Sequence, residues 1–136
     1  MPHFARASLE ASLPGHGIEY LHMPELGGLR KPRPDSINTG WRNDSFRGYA
    51  DYMQTEEFGR AVARLVELAR LKPTAIMCAE AVPWRCHRSL IADALLVNGV
   101  DVRHITGKAT PSPHRMTPFA AVSGNRIEYP ADTLPL

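Results

Sequence analysis

The feature that most constrains the fold is an apolar run of strand length that passes through a short loop into a segment with helical periodicity. The run occupies residues 74–78, and the loop after it contains Glu80 and Pro83. Apolar residues then recur at helical spacing until Asn98 and Gly99, a pair typical of a helix C-terminus. Because the apolar positions of the run fall on both faces, the pattern predicts a central strand of a parallel sheet.

Helical and strand patterns alternate along the chain. In order they are a helix over 4–13, a strand over 18–23, a helix after Thr55, the strand over 74–78, a helix rich in Leu and Ala, and a strand over 100–105. Such alternation is typical of parallel βαβ units with helices on both sides of the sheet. We therefore predict an α/β fold with three layers and a mostly parallel, Rossmann-like sheet. Residues 106–136 are predicted to be a loop-rich tail of the same single domain, with one short strand over 125–129.

Composition excludes several classes of protein. The 136 residues suffice for one domain with a hydrophobic core, and 43% hydrophobic with 22% charged residues is ordinary for a globular chain. The net charge of +2 comes without a block of like charges, so composition does not point to a nucleic-acid-binding tail. No stretch approaches the ~18 apolar residues of a membrane span. The chain shows no secretory signal pattern, so we expect a cytoplasmic protein with reduced cysteines.

Reactive groups concentrate at the predicted strand-to-helix junction. Within eleven residues the chain carries Cys78, Glu80, Arg85, Cys86, His87 and Arg88. Ligands of open α/β sheets bind where strands end and helices begin. The first turn of a helix attracts anions and stabilises a thiolate. The junction is therefore the predicted site.

One interpretation of this junction is an anion site with a nucleophilic thiol. Cys86 would be the nucleophile or activated thiol, with Glu80 or His87 as the acid or base and Cys78 as a second candidate catalytic residue. Arg85 and Arg88 would orient the anion through bidentate hydrogen bonds. The pattern departs from that of thiol phosphatases and sulfurtransferases. Their arginine follows the cysteine by six residues, whereas Arg85 follows Cys78 by seven, and the loop lacks glycine.

Three other interpretations stay open. Cys78 and Cys86 would form a redox pair if their Cα atoms lay within ~7 Å of each other. Cys78, Glu80, Cys86 and His87 would suit zinc or iron. However, sequence neighbours on a helix point roughly 100° apart, and the spacing matches no standard zinc pattern. In the last interpretation the junction has no function: Cys78 would be a small buried hydrophobic residue, and Arg85 and Arg88 would be surface residues. The sequence identifies no cofactor.

A long loop over residues 29–46 is the second candidate region. It carries Arg30, Trp41 and Arg42 among proline, glycine and asparagine. Loops of this length in small domains are commonly functional or disordered. We predict a lid that contacts the anion through these three residues, with a solvated surface loop as the alternative.

Three segments resemble the domain-of-unknown-function (DUF) family 488. Cys78-Ala79-Glu80, followed after five residues by Cys86-His87-Arg88-Ser89, resembles its signature. Residues 20–28 and 46–53 resemble two further family segments. The resemblance implies an α/β domain whose activity is not established, with the shared Cys, Glu, His and Arg as suspected catalytic or ligand groups. Compared with the family pattern, the chain looks truncated at its N-terminus, as if it lacked the first β-α-β unit. We therefore expect an exposed sheet edge, and a chain that is either marginally soluble or pairs this edge with a second copy.

The sequence thus predicts a cytoplasmic enzyme that binds a small anionic substrate, phosphate-like or nucleotide-like, at the cysteine-rich junction. The alternatives are a non-catalytic module that binds nucleic acid or a protein, and a thiol redox or metal-binding protein. No membrane partner is expected.

Overall fold

The computed structural model describes residues 6–77 and 87–131. In these ranges the helices are α1 (Arg6–Ser12), α2 (Asp44–Tyr52), α3 (Glu56–Leu71) and α4 (Arg88–Val97). Short 3-10 turns lie at Pro14–His16 and Pro24–Leu26. The strands are β1 (Arg103–His104), β2 (Ser112–Pro113), β3 (Ala121–Ser123) and β4 (Arg126–Glu128).

Local sequence signals explain the two helices at the centre of the structure. α3 begins after Thr55, whose Oγ1 accepts a hydrogen bond from the Phe58 N–H at 3.2 Å, and two glutamates occupy its positively charged first turn. α4 ends at Asn98, and Gly99 follows with a φ of 80°, the left-handed conformation that glycine adopts easily. Both helices were predicted from sequence, and both are confirmed.

The predicted three-layer, mostly parallel Rossmann-like sheet is wrong for the residues that the structure describes. β1 pairs with β2 and β3 with β4, both antiparallel, so these ranges contain two small hairpins and no parallel sheet. The strand predicted over 18–23 and the described part, 74–77, of the strand predicted over 74–78 lie outside every β-ladder. Ile18 and Met77 are about half exposed (51% and 50%). A strand requires hydrogen bonds to a neighbouring strand, and local sequence pattern does not supply that neighbour.

The hydrophobic core joins α2, α3 and α4 to the C-terminal tail. Its members include Tyr49 from α2, Phe58 and Leu65 from α3, Leu90 from α4 and Tyr129 from the tail. The tail, predicted to be mostly loop, thus contributes a fully buried tyrosine. The strand expected over 125–129 is confirmed, since it contains β4. None of the helices in the described ranges combines the length and the apolar character that a membrane crossing demands.

A buried carboxylate on α2 fastens the long loop before that helix. Asp51 accepts hydrogen bonds from the Arg33 backbone N–H (2.8 Å), the Ser36 hydroxyl (2.6 Å) and the Asn38 side-chain amide (2.7 Å). Asn38 is fully buried, and its side-chain oxygen accepts from the Tyr129 N–H at 2.9 Å. The middle of the loop is therefore held between α2 and the tail.

Candidate functional site

Four of the predicted site residues lie outside the described residues. Cys78, Glu80, Arg85 and Cys86 all belong to the range 78–86, which is not described. Their proposed roles as nucleophile, acid, base or anion ligand therefore stay predictions. The structure does describe the residue that follows this range, His87, together with the other candidates.

His87 occupies the N-cap position of α4. Its backbone carbonyl accepts hydrogen bonds from the Leu90 and Ile91 N–H groups, each at 3.0 Å. Its imidazole packs on the ring of Tyr49, with ring centroids 4.9 Å apart, and lies against Gly28. A Cβ atom added to Gly28 would be 2.8 Å from His87 Nδ1, closer than van der Waals contact allows. The absence of a side chain at Gly28 therefore makes room for this imidazole.

The environment of His87 favours its neutral form. Burial lowers the pKa of the imidazole below its usual value, and the positive charges of Arg88 and Arg30 lower it further. The backbone of Leu26 acts in the opposite direction through a hydrogen bond that raises the pKa. A neutral imidazole near pH 7 can accept a proton or a hydrogen bond. Two guanidinium groups thus act electrostatically on one uncharged histidine.

Arg30 is held in place by an aromatic ring and a backbone carbonyl. Its guanidinium carbon lies 3.7 Å from the centroid of the Tyr52 ring, and its Nε donates to the Gly27 carbonyl at 3.2 Å. Tyr52 is itself fixed, because its hydroxyl donates to the Glu25 carbonyl at 2.5 Å. Among the described residues Arg30 forms no ion pair. Within residues 6–77 and 87–131 its terminal N–H groups have no hydrogen-bond acceptor, and the side chain that carries them is already fixed in position.

The two remaining predicted residues are placed elsewhere. Trp41 packs edge-on against Phe46 and Phe119 and tilted against Tyr129, at centroid distances of 5.1, 4.9 and 5.6 Å. Its ring contacts in the described structure are with this aromatic cluster. Arg42, the next residue, is exposed. The contact of Trp41 and Arg42 with an anionic ligand stays a prediction, whereas Arg30, His87 and Arg88 are electrostatically coupled.

Three polar side chains that were not predicted from the sequence form a row, and the charge of Arg88 acts on the last of them, His104. His104 Nε2 lies 2.7 Å from His114 Nδ1, and His114 Nε2 lies 2.7 Å from Asp93 Oδ1. Burial, His114 and the charge of Arg88 together lower the pKa of His104. The overlooked signal is Asp93, the one acidic residue in α4, which lies within the apolar part of the helix after Ser89. Because the residues before and after this position on the helix are buried, a carboxylate here is buried as well. It therefore needs hydrogen-bond partners.

The metal interpretation is not supported by the residues that are described. In the ranges 6–77 and 87–131 no group of three or more His, Cys, Asp or Glu side chains could hold a metal ion. Three of the four predicted ligands, Cys78, Glu80 and Cys86, lie outside these ranges. The proposed metal set is therefore untested.

The family of this chain follows from a comparison with known proteins. No curated protein and no solved structure matches it. A family model described as "Domain of unknown function DUF488" matches residues 1–95. This match covers both the segment with Gly28 and Arg30 and the beginning of α4 with His87 and Arg88. Since it spans well over half of the 136 residues, the chain belongs to the DUF488 family.

Proposed function

We propose that this chain is an enzyme that binds a small anionic substrate, phosphate-like or nucleotide-like, at the corner formed by Arg30, His87 and Arg88. The observation that carries the proposal is that the positive charges of Arg30 and Arg88 both act on the neutral imidazole of His87, at the beginning of a ten-residue helix. The N–H groups in the first turn of α4 add a partial positive charge at the same place. This corner is called the His87 corner below.

The geometry supports recognition of an anion rather than of a cation or an apolar ligand. Arg30 is immobilised by Tyr52, so little side-chain entropy is lost when its guanidinium binds an oxyanion. The lowered pKa of His87 keeps its ring neutral near pH 7, so the two guanidinium groups supply the positive charge and the ring can serve as a proton acceptor. Cys86 directly precedes His87 in sequence, and its role as nucleophile is part of the proposal.

The nucleic-acid-binding alternative receives less support from the same loop. Arg33 pairs with Asp35 at 3.2 Å and Arg47 pairs with Asp44 at 2.6 Å. These ion pairs partly neutralise the charge that a polyanion would contact. A nucleic-acid-binding surface usually presents a cluster of cations without such acidic neighbours.

Calorimetric titration with inorganic phosphate tests the proposal. We expect binding by the unmodified chain, and a decrease in affinity of about tenfold or more for Arg30→Ala, because a hydrogen bond to a charged group contributes ~1.5–3 kcal/mol. Arg64→Ala provides the control, since Arg64 lies on the exposed side of α3. Unchanged affinity in Arg30→Ala, or absence of phosphate binding, would contradict the proposal.

Salt dependence separates the two classes of ligand. A small anion that meets two or three cations should lose little affinity between low and moderate salt. Tight binding of single-stranded or double-stranded oligonucleotides, with a steep decrease in affinity on adding salt, would favour the nucleic-acid alternative instead.

A further inference from the structure

Asp93 is the centre of a buried hydrogen-bond network that adjoins the His87 corner. Its Oδ1 atom accepts from the Thr117 N–H at 3.1 Å as well as from His114, and its Oδ2 atom accepts from the hydroxyls of Thr117 (2.6 Å) and Tyr129 (2.8 Å). The Asp93 side chain is fully buried. Burial and the Asp93 charge raise the pKa of Tyr129, so this tyrosine stays protonated and donates. Asp93 therefore acts as an acceptor towards all its partners.

This arrangement determines where the protons of the two histidines lie. Because Asp93 accepts, His114 carries its proton on Nε2, and its Nδ1 atom has a free electron pair. His114 Nδ1 then accepts from His104 Nε2. In neutral His104 the remaining nitrogen, Nδ1, is consequently unprotonated, and it has no hydrogen-bond partner among the described residues.

A hairpin aligns the two rings. His104 lies opposite Ser112 in the β1–β2 pair, and the His114 N–H donates to the Val102 carbonyl at 2.8 Å. The two histidines are therefore diagonal neighbours on one face of the hairpin, a position from which aromatic side chains meet. His114 is nearly buried, at 7% exposure, whereas His104 is only partly buried. The network thus runs from the core to an accessible imidazole beside Arg88.

We propose that Nδ1 of His104 is the general base of this protein, and that it removes a proton from a hydroxyl group or a water molecule next to an oxyanion held by Arg88. His114 and Asp93 are positioning residues in this proposal. The O–H bond breaks, its proton moves to Nδ1, and the electron pair stays on the oxygen, which becomes the nucleophile. The resulting imidazolium keeps its Nε2–H bond to His114, while the Asp93 carboxylate stabilises the positive charge. In the reverse direction the same atom returns the proton to a leaving oxygen.

The proposal rests on the proposed anion binding, and its two parts are tested separately by nitrogen-15 NMR of the histidines in the full chain. The first measurement is the tautomer in the unmodified protein, which requires no variant. We expect His104 and His114 both to carry their proton on Nε2. A proton on Nδ1 of neutral His104 would overturn the inference.

The second measurement is a titration with inorganic phosphate. We expect phosphate to raise the pKa of His104 by about one unit, the lower end of the range for an opposite charge at ~4–6 Å. Arg88 and His114 are the charged and titratable groups that act on His104. An anion bound at Arg88 offsets the positive charge of Arg88. The exposed His16 serves as the control, and its signals should not move. If phosphate shifts the signals of His87 but leaves those of His104 unchanged, this inference fails while the proposed function stands. If neither histidine responds, both fail.

Substitution of Asp93 tests the positioning role. In Asp93→Asn the side-chain amide can donate to His114, so we expect the His114 tautomer to invert and the pKa of His104 to fall. Asp93→Glu should retain the original tautomer. A folded Asp93→Asn protein with unchanged tautomers would overturn the role of the network. If Asp93→Asn does not fold, the tautomer and phosphate measurements on the unmodified chain still decide.

Discussion

Gly48 in α2 and Gly59 in α3 allow the same substitution to be tested at two helical positions with opposite expected effects. A Cβ atom at Gly48 would lie 1.9 Å from the Arg30 carbonyl oxygen and 2.7 Å from the Lys31 carbonyl carbon. A Cβ atom at Gly59 would have nothing within 4 Å. Gly48→Ala therefore forces the backbone that carries Arg30 away from α2, whereas Gly59→Ala fills open space.

The expected magnitudes follow from these distances. Non-bonded heavy atoms normally approach to about 3.5 Å, so the chain at Arg30 must move by roughly 1.5 Å in Gly48→Ala. Steric overpacking costs ~1–3 kcal/mol or more, and the higher helix propensity of alanine returns up to ~1 kcal/mol. We expect a net loss of about 2 kcal/mol for Gly48→Ala and a gain of ~0.5–1 kcal/mol for Gly59→Ala.

Urea unfolding of the two variants beside the unmodified chain measures this difference. With a denaturant slope of ~1–3 kcal/mol per molar, the midpoint of Gly48→Ala should fall by roughly 1 M, and that of Gly59→Ala should rise slightly. Gly48→Ala should also bind phosphate more weakly, because Arg30 is displaced from Tyr52. Equal stabilities of Gly48→Ala and Gly59→Ala would refute the close contact between α2 and the loop.

Three further outcomes are expected. Asp51→Ala should destabilise the fold by about 2–4 kcal/mol and speed hydrogen exchange in the loop over 29–46. The control, Asp35→Ala at an exposed position, should cost less than ~0.5 kcal/mol. Equally slow exchange in both variants would contradict the role of Asp51 in holding the loop. Alkylation should be faster at Cys86 than at Cys78, and equal rates would remove the case for an activated thiol. Because the pKa values of His87 and His104 are lowered on folding, the unfolded chain binds protons more readily. Stability should therefore decline as pH falls through ~6.5, and urea midpoints that are the same at pH 5 and pH 8 would contradict this.

Self-association is still a prediction, but the parallel sheet whose exposed edge was expected to mediate it is absent from the described residues. The segments over 18–23 and 74–77 lie outside every β-ladder in the described ranges, and Ile18, Leu21 and Met77 are about half exposed. A segment outside any β-ladder that exposes apolar side chains can pair with a second copy. Light scattering should then show a dimer whose dissociation depends on concentration, and a strictly monomeric chain at all concentrations would contradict the prediction.

The sequence alone determined the features that depend on near neighbours along the chain. Thr55 as a helix cap, the apolar stripe of α3, and the Asn98–Gly99 end of α4 all follow from interactions within four residues. The family followed from a motif, the Cys-Ala-Glu and Cys-His-Arg-Ser pair with its fixed spacing. His87 and Arg88 were also named from sequence, because polar and basic residues near a helix N-terminus are a local pattern, and Arg30 was named from the long loop.

Tertiary structure decided how the strand-like segments pair and which polar groups meet. Residues 100–105 were expected in a parallel sheet, but β1 pairs with β2, at the beginning of the tail, in an antiparallel hairpin. The partners of Asp93 lie 21, 24 and 36 residues further along the chain, at His114, Thr117 and Tyr129. Periodicity reports which side of an element is apolar, but it does not identify the element that packs there. Strand pairing and buried hydrogen-bond networks depend on contacts between residues far apart in sequence, and only the folded chain brings those residues together.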